Sequence, residues 1–207
     1  MYQPNETIVI DGKDHAIIKL ASAVAKHILS GRNVVVLQCE GILLKEGFKK
    51  HKAKFADFLR KRCAYNPKKG PYHHREPSKI FFRKVRTMVP HKTARGEASM
   101  ERLKTFDGIP AEFSTVSCAI VPEAHRTHAI KRGYVTVELG KVAASFGWKH
   151  AEVIKRAGER RSEELEKTAE EKKTQSAAEK NFIQSSSELQ KIEESLLSLG
   201  YSPEELC

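Results

Sequence analysis

Four cysteines in 207 residues, one tryptophan and no long apolar run exclude several kinds of protein at once. Cys39, Cys63, Cys118 and Cys207 are 24, 55 and 89 residues apart, which fits neither a zinc module nor a small disulfide scaffold. They read as reduced thiols of a cytoplasmic protein. No stretch approaches the ~18 apolar residues that span a bilayer, so no membrane partner is expected. The opening MYQPNETIVIDG shows no basic segment followed by an apolar run, so no signal peptide is expected either.

Phosphate-cradling glycines are also missing. The first apolar run ends in Asp11-Gly12-Lys13-Asp14, which matches neither the dinucleotide fingerprint nor the P-loop. Gly41-Ile42-Leu43-Leu44 after the second run is equally bare, and no Gly-x-Ser-x-Gly elbow occurs. His125-x-x-His128 has no neighbouring Cys or Glu to complete a metal site. Glu76, Glu97 and Glu101 read as local charge partners rather than an acid–base pair. No catalytic group, metal site, cofactor or small-molecule substrate is therefore expected.

What is present is charge of one sign in one place. Residues 41–104 hold 19 Lys and Arg against 5 Asp and Glu, a local charge of +14, whereas the whole chain carries +11. The other 143 residues therefore sum to −3. Solvated helix faces carry both signs; a one-sided block marks a polyanion partner. Lys and Arg that neutralise phosphates release condensed counterions, so such a block implies salt-sensitive binding of nucleic acid.

The first forty residues read as strand, helix, strand. Thr7–Ile10 and Val34–Leu37 are β-branched or continuously apolar runs. Between them, residues 15–30 place Ile17, Leu20, Ala21, Val24, Ile28 and Leu29 on one stripe, with Asp14 as N-cap and Gly31 as a left-handed stop. Two strands joined by a helix form a parallel unit, so the fold class is α/β. Helices are expected at 45–63, 78–88, near 97–104 and from Gly140 to Phe146. A Pro/Gly loop is expected at 64–77, and further strands at 115–121 and 134–138. Phe48, Phe55, Phe81 and Phe82 fall at helical spacing and read as core, whereas Tyr65 and Tyr72, in the loop, are candidates to stack on unpaired bases. Gly70-Pro71 and Arg95-Gly96 offer backbone that phosphate can approach.

After residue 150 the composition changes to thirteen acids against nine bases. Glu163–Lys167 and Lys167–Glu171 are i,i+4 pairs of a solvated helix. Phe182, Leu189, Ile192, Leu196 and Leu199 lie on a heptad seam, interrupted at Ser185, that suits contact with another protein; a frayed or partly disordered tail is the alternative reading.

Val85-Arg86-Thr87-Met88-Val89-Pro90-His91-Lys92-Thr93-Ala94-Arg95-Gly96, followed by Leu103-Lys104-Thr105-Phe106-Asp107-Gly108, closely resembles the signature of the universal large-subunit ribosomal protein L-thirteen family. The eukaryotic and archaeal branch is the nearer match. Arg60-Lys61-Arg62, Asn66-Pro67, Gly70-Pro71-Tyr72-His73, Pro77-Ser78 and Cys39-Glu40-Gly41 look like that branch too, and the resemblance covers about residues 7–150. The chain departs from the pattern at Ile18-Lys19, where Gly-Arg is usual, and at Val89, where Leu is commoner.

The resemblance implies a three-layer α/β/α domain on a small, mainly parallel four-stranded sheet. That domain would span residues 1–149, with the basic block 41–104, followed by a charged helical extension at 150–207. It further implies a structural, non-enzymatic constituent of the large subunit that binds rRNA, supports assembly and translation, and is not an obligate homo-oligomer. Its expected partners are rRNA and neighbouring ribosomal proteins, in the cytoplasm with nucleolar assembly if eukaryotic. The RNA-contacting positions would be Lys45, Lys49, Lys50, Lys52, Lys54, Arg60, Lys61 and Arg62, then Lys68, Lys69, Tyr72, His73, His74 and Arg75. Arg83, Lys84, Arg86, His91, Lys92, Arg95 and Arg102 complete the set. The competing readings are a non-ribosomal RNA-binding regulator and a nucleotide-dependent α/β enzyme.

Overall fold

Two runs of β-branched residues, Thr7–Ile10 and Val34–Val36, supply the centre of the fold. The computed structural model describes residues 7–185. Its elements run β1 (Thr7–Asp11), α1 (Ile17–Leu29), β2 (Asn33–Leu37), β3 (Leu43–Lys45) and α2 (Phe48–Arg60). They continue as α3 (Pro77–Met88), α4 (Ala94–Glu101), β4 (Leu103–Thr105), α5 (Arg126–Ala129), β5 (Thr136–Glu138), α6 (Leu139–Ser145) and α7 (Ala151–Ser185). The chain divides into two compact units, Met1–Lys155 and Arg156–Cys207.

In the first unit, β2 lies between β1 and β4, and all three strands are parallel. Val34, Val35, Val36 and Leu37 are buried because this strand is covered on both faces. Val34 and Val36 share a core with Leu20, Val24 and Ile28 of α1 and with Phe81 and Val85 of α3. Val9, Val35 and Leu37 pack instead with Phe106, Ile109 and Phe113. The fourth sheet position is filled by one residue. Ala119 forms a parallel bridge to Ile10, donating to the Val9 carbonyl (2.8 Å) and accepting from the Asp11 N–H (3.2 Å). Residues 114–120 are exposed, so the strand expected at 115–121 has no second surface to bury and shrinks to that bridge. The architecture is α/β on a small, mainly parallel sheet, as expected.

Three local expectations change, each through a tertiary contact. Asp14 does not cap α1: it sits in a turn with φ +58°, and Ala16 holds the cap position without a side-chain hydrogen bond. The Ala16 N–H bonds instead to the Ala124 carbonyl at 2.8 Å. The helix expected to reach 104 stops at Glu101, because the free edge of β2 recruits Leu103–Thr105 as a strand. β5 forms where a strand was expected, but its antiparallel partner β3 lies in a stretch whose sequence carried no strand signal. Gly31 does adopt the left-handed stop, with φ +94°.

His15 is a buried tie between segments far apart in sequence. Its Nδ1 lies 2.7 Å from the Lys13 carbonyl, and the Val121 N–H donates to its Nε2 at 3.1 Å. A carbonyl only accepts and an amide N–H only donates, so Nδ1 carries the hydrogen. The second unit has no comparable core among its described residues. Leu165 and Phe182 of α7 are exposed, and neither Glu163–Lys167 nor Lys167–Glu171 closes into an ion pair. Exposed long side chains gain little from such pairing. Of the seam, Leu189, Ile192, Leu196 and Leu199 lie outside the described residues.

The turn into α4 leaves no room for a side chain at Gly96. Thr93 caps the helix, its Oγ1 accepting from the Gly96 N–H (3.2 Å) and donating to the Pro90 carbonyl (2.7 Å). A Cβ on Gly96 would lie 2.0 Å from that carbonyl oxygen. Gly96→Ala is therefore expected to lower stability by about 3 kcal/mol, at the upper end for overpacking. Urea unfolding of the variant against the native chain checks this; a loss below about 0.5 kcal/mol would contradict the packing argument.

Candidate nucleic-acid interface

Phe58 gathers the basic elements. The ring of His73 lies 4.6 Å from the Phe58 ring, and the Arg83 guanidinium sits 3.9 Å above its centre. His73 Nε2 also lies 2.9 Å from the Phe58 carbonyl. One aromatic side chain on α2 thus holds the Pro/Gly loop and α3. Phe55 continues the stripe toward Phe146 at 4.7 Å. A guanidinium on an aromatic face contributes roughly 0.5–2 kcal/mol and keeps its charge while doing so.

The candidate contact residues sort by what they touch. Lys45, Lys49, Lys50, Lys52, Lys54, Arg60, Lys61, Arg62, Lys68, Lys69, Arg75, Arg83, Lys84, Arg86, Lys92 and Arg95 are exposed, as are Tyr72 and His74. Two ion pairs occur in the block among the described residues, Lys54–Glu46 at 2.6 Å and Arg60–Asp57 at 3.8 Å. Glu76, Glu97 and Glu101 form no ion pair with a base among the described residues, contrary to expectation, so most of the block's cations have no carboxylate partner there. Tyr65 and Tyr72 are exposed, with Tyr72 stacked near His74 at 6.3 Å.

His73, His91 and Arg102 are half-buried. Arg102 donates to the Ile28 carbonyl at 3.4 Å and so closes the last turn of α1. Among the aromatics read as core, Phe81 is fully buried, Phe55 and Phe82 are half-buried, and Phe48 is exposed. Both glycines read as phosphate approaches use their missing Cβ internally: Gly96 against Pro90, and Gly70 against the Cys63 amide at 2.8 Å.

A pair of carboxylates, missed in the sequence, mounts the block on the sheet. Glu76, at the cap position of α3, makes no capping bond. Asp107 does so from a distance, accepting from Ser78 N–H at 2.8 Å and Ser78 Oγ at 3.2 Å. Glu40 accepts from the Gly108 N–H at 2.9 Å and holds the same loop from the other side. Burial pushes the Asp107 carboxyl up to about 6, the Glu40 and Glu76 charges adding to it and the Ser78 bonds opposing it. Burial raises Glu40 too, against the bond from Gly108.

A small parallel sheet carrying a one-sided cationic surface with two ion pairs among the described residues defines a basic α/β protein. Sequence comparison narrows the class. The family model Ribosomal protein L13 matches residues 5–112. The Large ribosomal subunit protein uL13 of Drosophila melanogaster is 40% identical over 201 residues, covering 95% of this chain and 97% of that protein. The uL13 of Spodoptera frugiperda is 41% identical over 157 residues, covering 76% and 77%. This chain belongs to the ribosomal protein L13 family.

The raised Asp107 gives a pH signature. Between its ordinary value of 3.8 and its folded value of about 6, the native state holds a proton that the unfolded chain has released. Its contribution to stability is therefore complete below the lower value and is lost as pH rises through the upper one. Asp107→Asn mimics the protonated acid at every pH, so the variant should gain in Tm relative to the native chain between about pH 4 and 7. Thermal melts of both across that range check this; a pH-independent difference would refute it.

Proposed function

We propose that this chain is a structural constituent of the large ribosomal subunit that binds and organises rRNA through residues 41–104. The observation that carries the reading is the basic block itself, α2, loop and α3 held on one aromatic hub with few internal carboxylates, in a member of a ribosomal protein family. The sheet is a rigid mount. The cations bridge phosphates of several rRNA segments, which fixes placement without reading sequence; specificity comes from RNA shape and a few unpaired bases. The role is non-enzymatic, consistent with a family of structural proteins. It is exercised on cytoplasmic ribosomes, with nucleolar assembly if the source is eukaryotic.

The acidic-leaning extension is a poor RNA ligand. Its apolar seam, Phe182, Leu189, Ile192, Leu196 and Leu199, is assigned to a neighbouring ribosomal protein. Deleting residues 181–207 should therefore spare binding to naked rRNA and reduce incorporation into subunits, read by filter binding and gradient sedimentation. Loss of naked-rRNA binding on that deletion would overturn the assignment.

If about six to ten phosphates are neutralised, affinity for large-subunit rRNA should fall roughly 10³–10⁵-fold between about 50 and 200 mM salt. Each phosphate-contacting Lys replaced by Gln should lower the slope by about one. A salt-insensitive affinity would sink the reading. Stoichiometric sedimentation with large subunits separates it from a non-ribosomal regulator, which would leave a substantial free pool.

A further inference from the structure

Beside α2 the surface opens into an apolar cavity of about 920 Å³, with Ile17, Leu43, Leu44, Phe55, Leu139 and Val142 among its walls. It meets a second, shallower hollow of about 520 Å³ lined by Lys19, Lys45, Lys131 and Arg132. Lys19, Lys45 and Tyr134 line both, so they form the boundary. Lys19, Lys131, Arg132 and Tyr134 lie outside the basic block 41–104, and Lys19 stands where the family usually carries arginine.

The boundary is held by backbone. β3 pairs with β5 so that Lys45 faces Thr136, and the Glu46 N–H donates to the Val135 carbonyl at 3.1 Å. A bridge between Ala16 and Leu43 brings the start of α1, and with it Lys19, to the same place. The Tyr134 N–H donates to the Lys131 carbonyl at 3.3 Å, closing the turn that carries Lys131 and Arg132. Tyr134 is 64% exposed, so most of this large aromatic residue is open to a partner.

None of the four cations forms an ion pair among the described residues. The acid at the cavity mouth, Glu46, is taken by Lys54 at 2.6 Å. The chamber has a mainly apolar wall with Lys54, Arg83 and Lys84 also on its lining, and the hollow that shares Tyr134 with it adds Lys131 and Arg132. An unpaired nucleotide has matching parts, a phosphate joined to a flat, weakly polar base that stacks on an aromatic face. An amphipathic peptide would fill the chamber but has no need of the cationic hollow beside it.

We propose that this junction takes an unpaired rRNA nucleotide, its phosphate against Lys19, Lys131 and Arg132 and its base beside Tyr134 in the apolar cavity. The proposal rests on the rRNA-binding reading and adds a base-accepting site to it. The test titrates the full chain with a short single-stranded oligouridylate and with a blunt RNA duplex. It compares Tyr134→Ala, Tyr134→Phe, the pair Lys131→Gln/Arg132→Gln and, as a block control, Lys68→Gln/Lys69→Gln.

Tyr134→Ala should weaken single-strand binding about tenfold, the order of one lost base stack, and leave duplex binding unchanged. Tyr134→Phe should retain the affinity, and Lys131→Gln/Arg132→Gln should lower the single-strand salt slope by about 1.4. If Tyr134→Ala changes neither probe, or both equally, the junction is not a base site. If it spares RNA binding and instead blocks incorporation into subunits, the occupant is a protein and the proposal falls. If the block control also binds both probes like the native chain, the rRNA-binding reading falls with it; if the control alone weakens binding, that reading stands and the junction is wrong.

Discussion

Like-charge repulsion is the constraint around which the first unit is arranged. Nineteen cations in 64 residues repel one another wherever they lie within about a Debye length, ~8 Å at physiological salt. Matching each with a carboxylate would relieve the repulsion and remove the cationic surface. The fold instead holds the block together with groups that leave its charge available. Arg83 rests on the Phe58 ring, His73 bonds to a backbone carbonyl, and only two carboxylates pair with the block's bases. Attraction is supplied by rings and peptide groups, and the net field stays outward.

The acids that do matter lie behind this surface. Asp107 and Glu40 receive backbone N–H groups at the junction of α3 with the loop after β4, where a helix start carries partial positive charge. They therefore fix the direction of the basic helix without lying on its exposed face. The motif that joins Pro90 to Asp107 is then legible as mechanics. Thr93 and Gly96 set the turn, Leu103–Thr105 closes the sheet edge, and Asp107 returns to cap the N-terminus of α3, the helix that leads into the motif.

Local patterns carried much of this. The stripe from Ile17 to Ile28, the stop at Gly31 and the buried Val34–Leu37 run are set by residues within a few positions of one another, so periodicity reveals them. What stayed hidden depends on partners far along the chain. The Asp107–Ser78 bond spans 29 residues and the His15–Val121 bond spans 106, and neither leaves a local trace. Ala16 could not be recognised as a cap because its N–H partner is Ala124. The candidate interface was legible in bulk, since charge is a property of composition. The internal engagement of His73 and Arg102 was not, nor was the pairing of β3 with β5 that gathers Lys45 and Tyr134.

One property of α2 bears on which part of the domain a bound polyanion would stabilise. Of the helices in the block it carries the most cations, yet none of its residues is fully buried. Segments with few buried apolar contacts open at low free energy, and their amides exchange with solvent well before the core's. A polyanion that binds only the closed helix shifts that opening equilibrium by mass action. A polyanion bound along α2 would therefore stabilise this edge of the domain more than it stabilises the sheet.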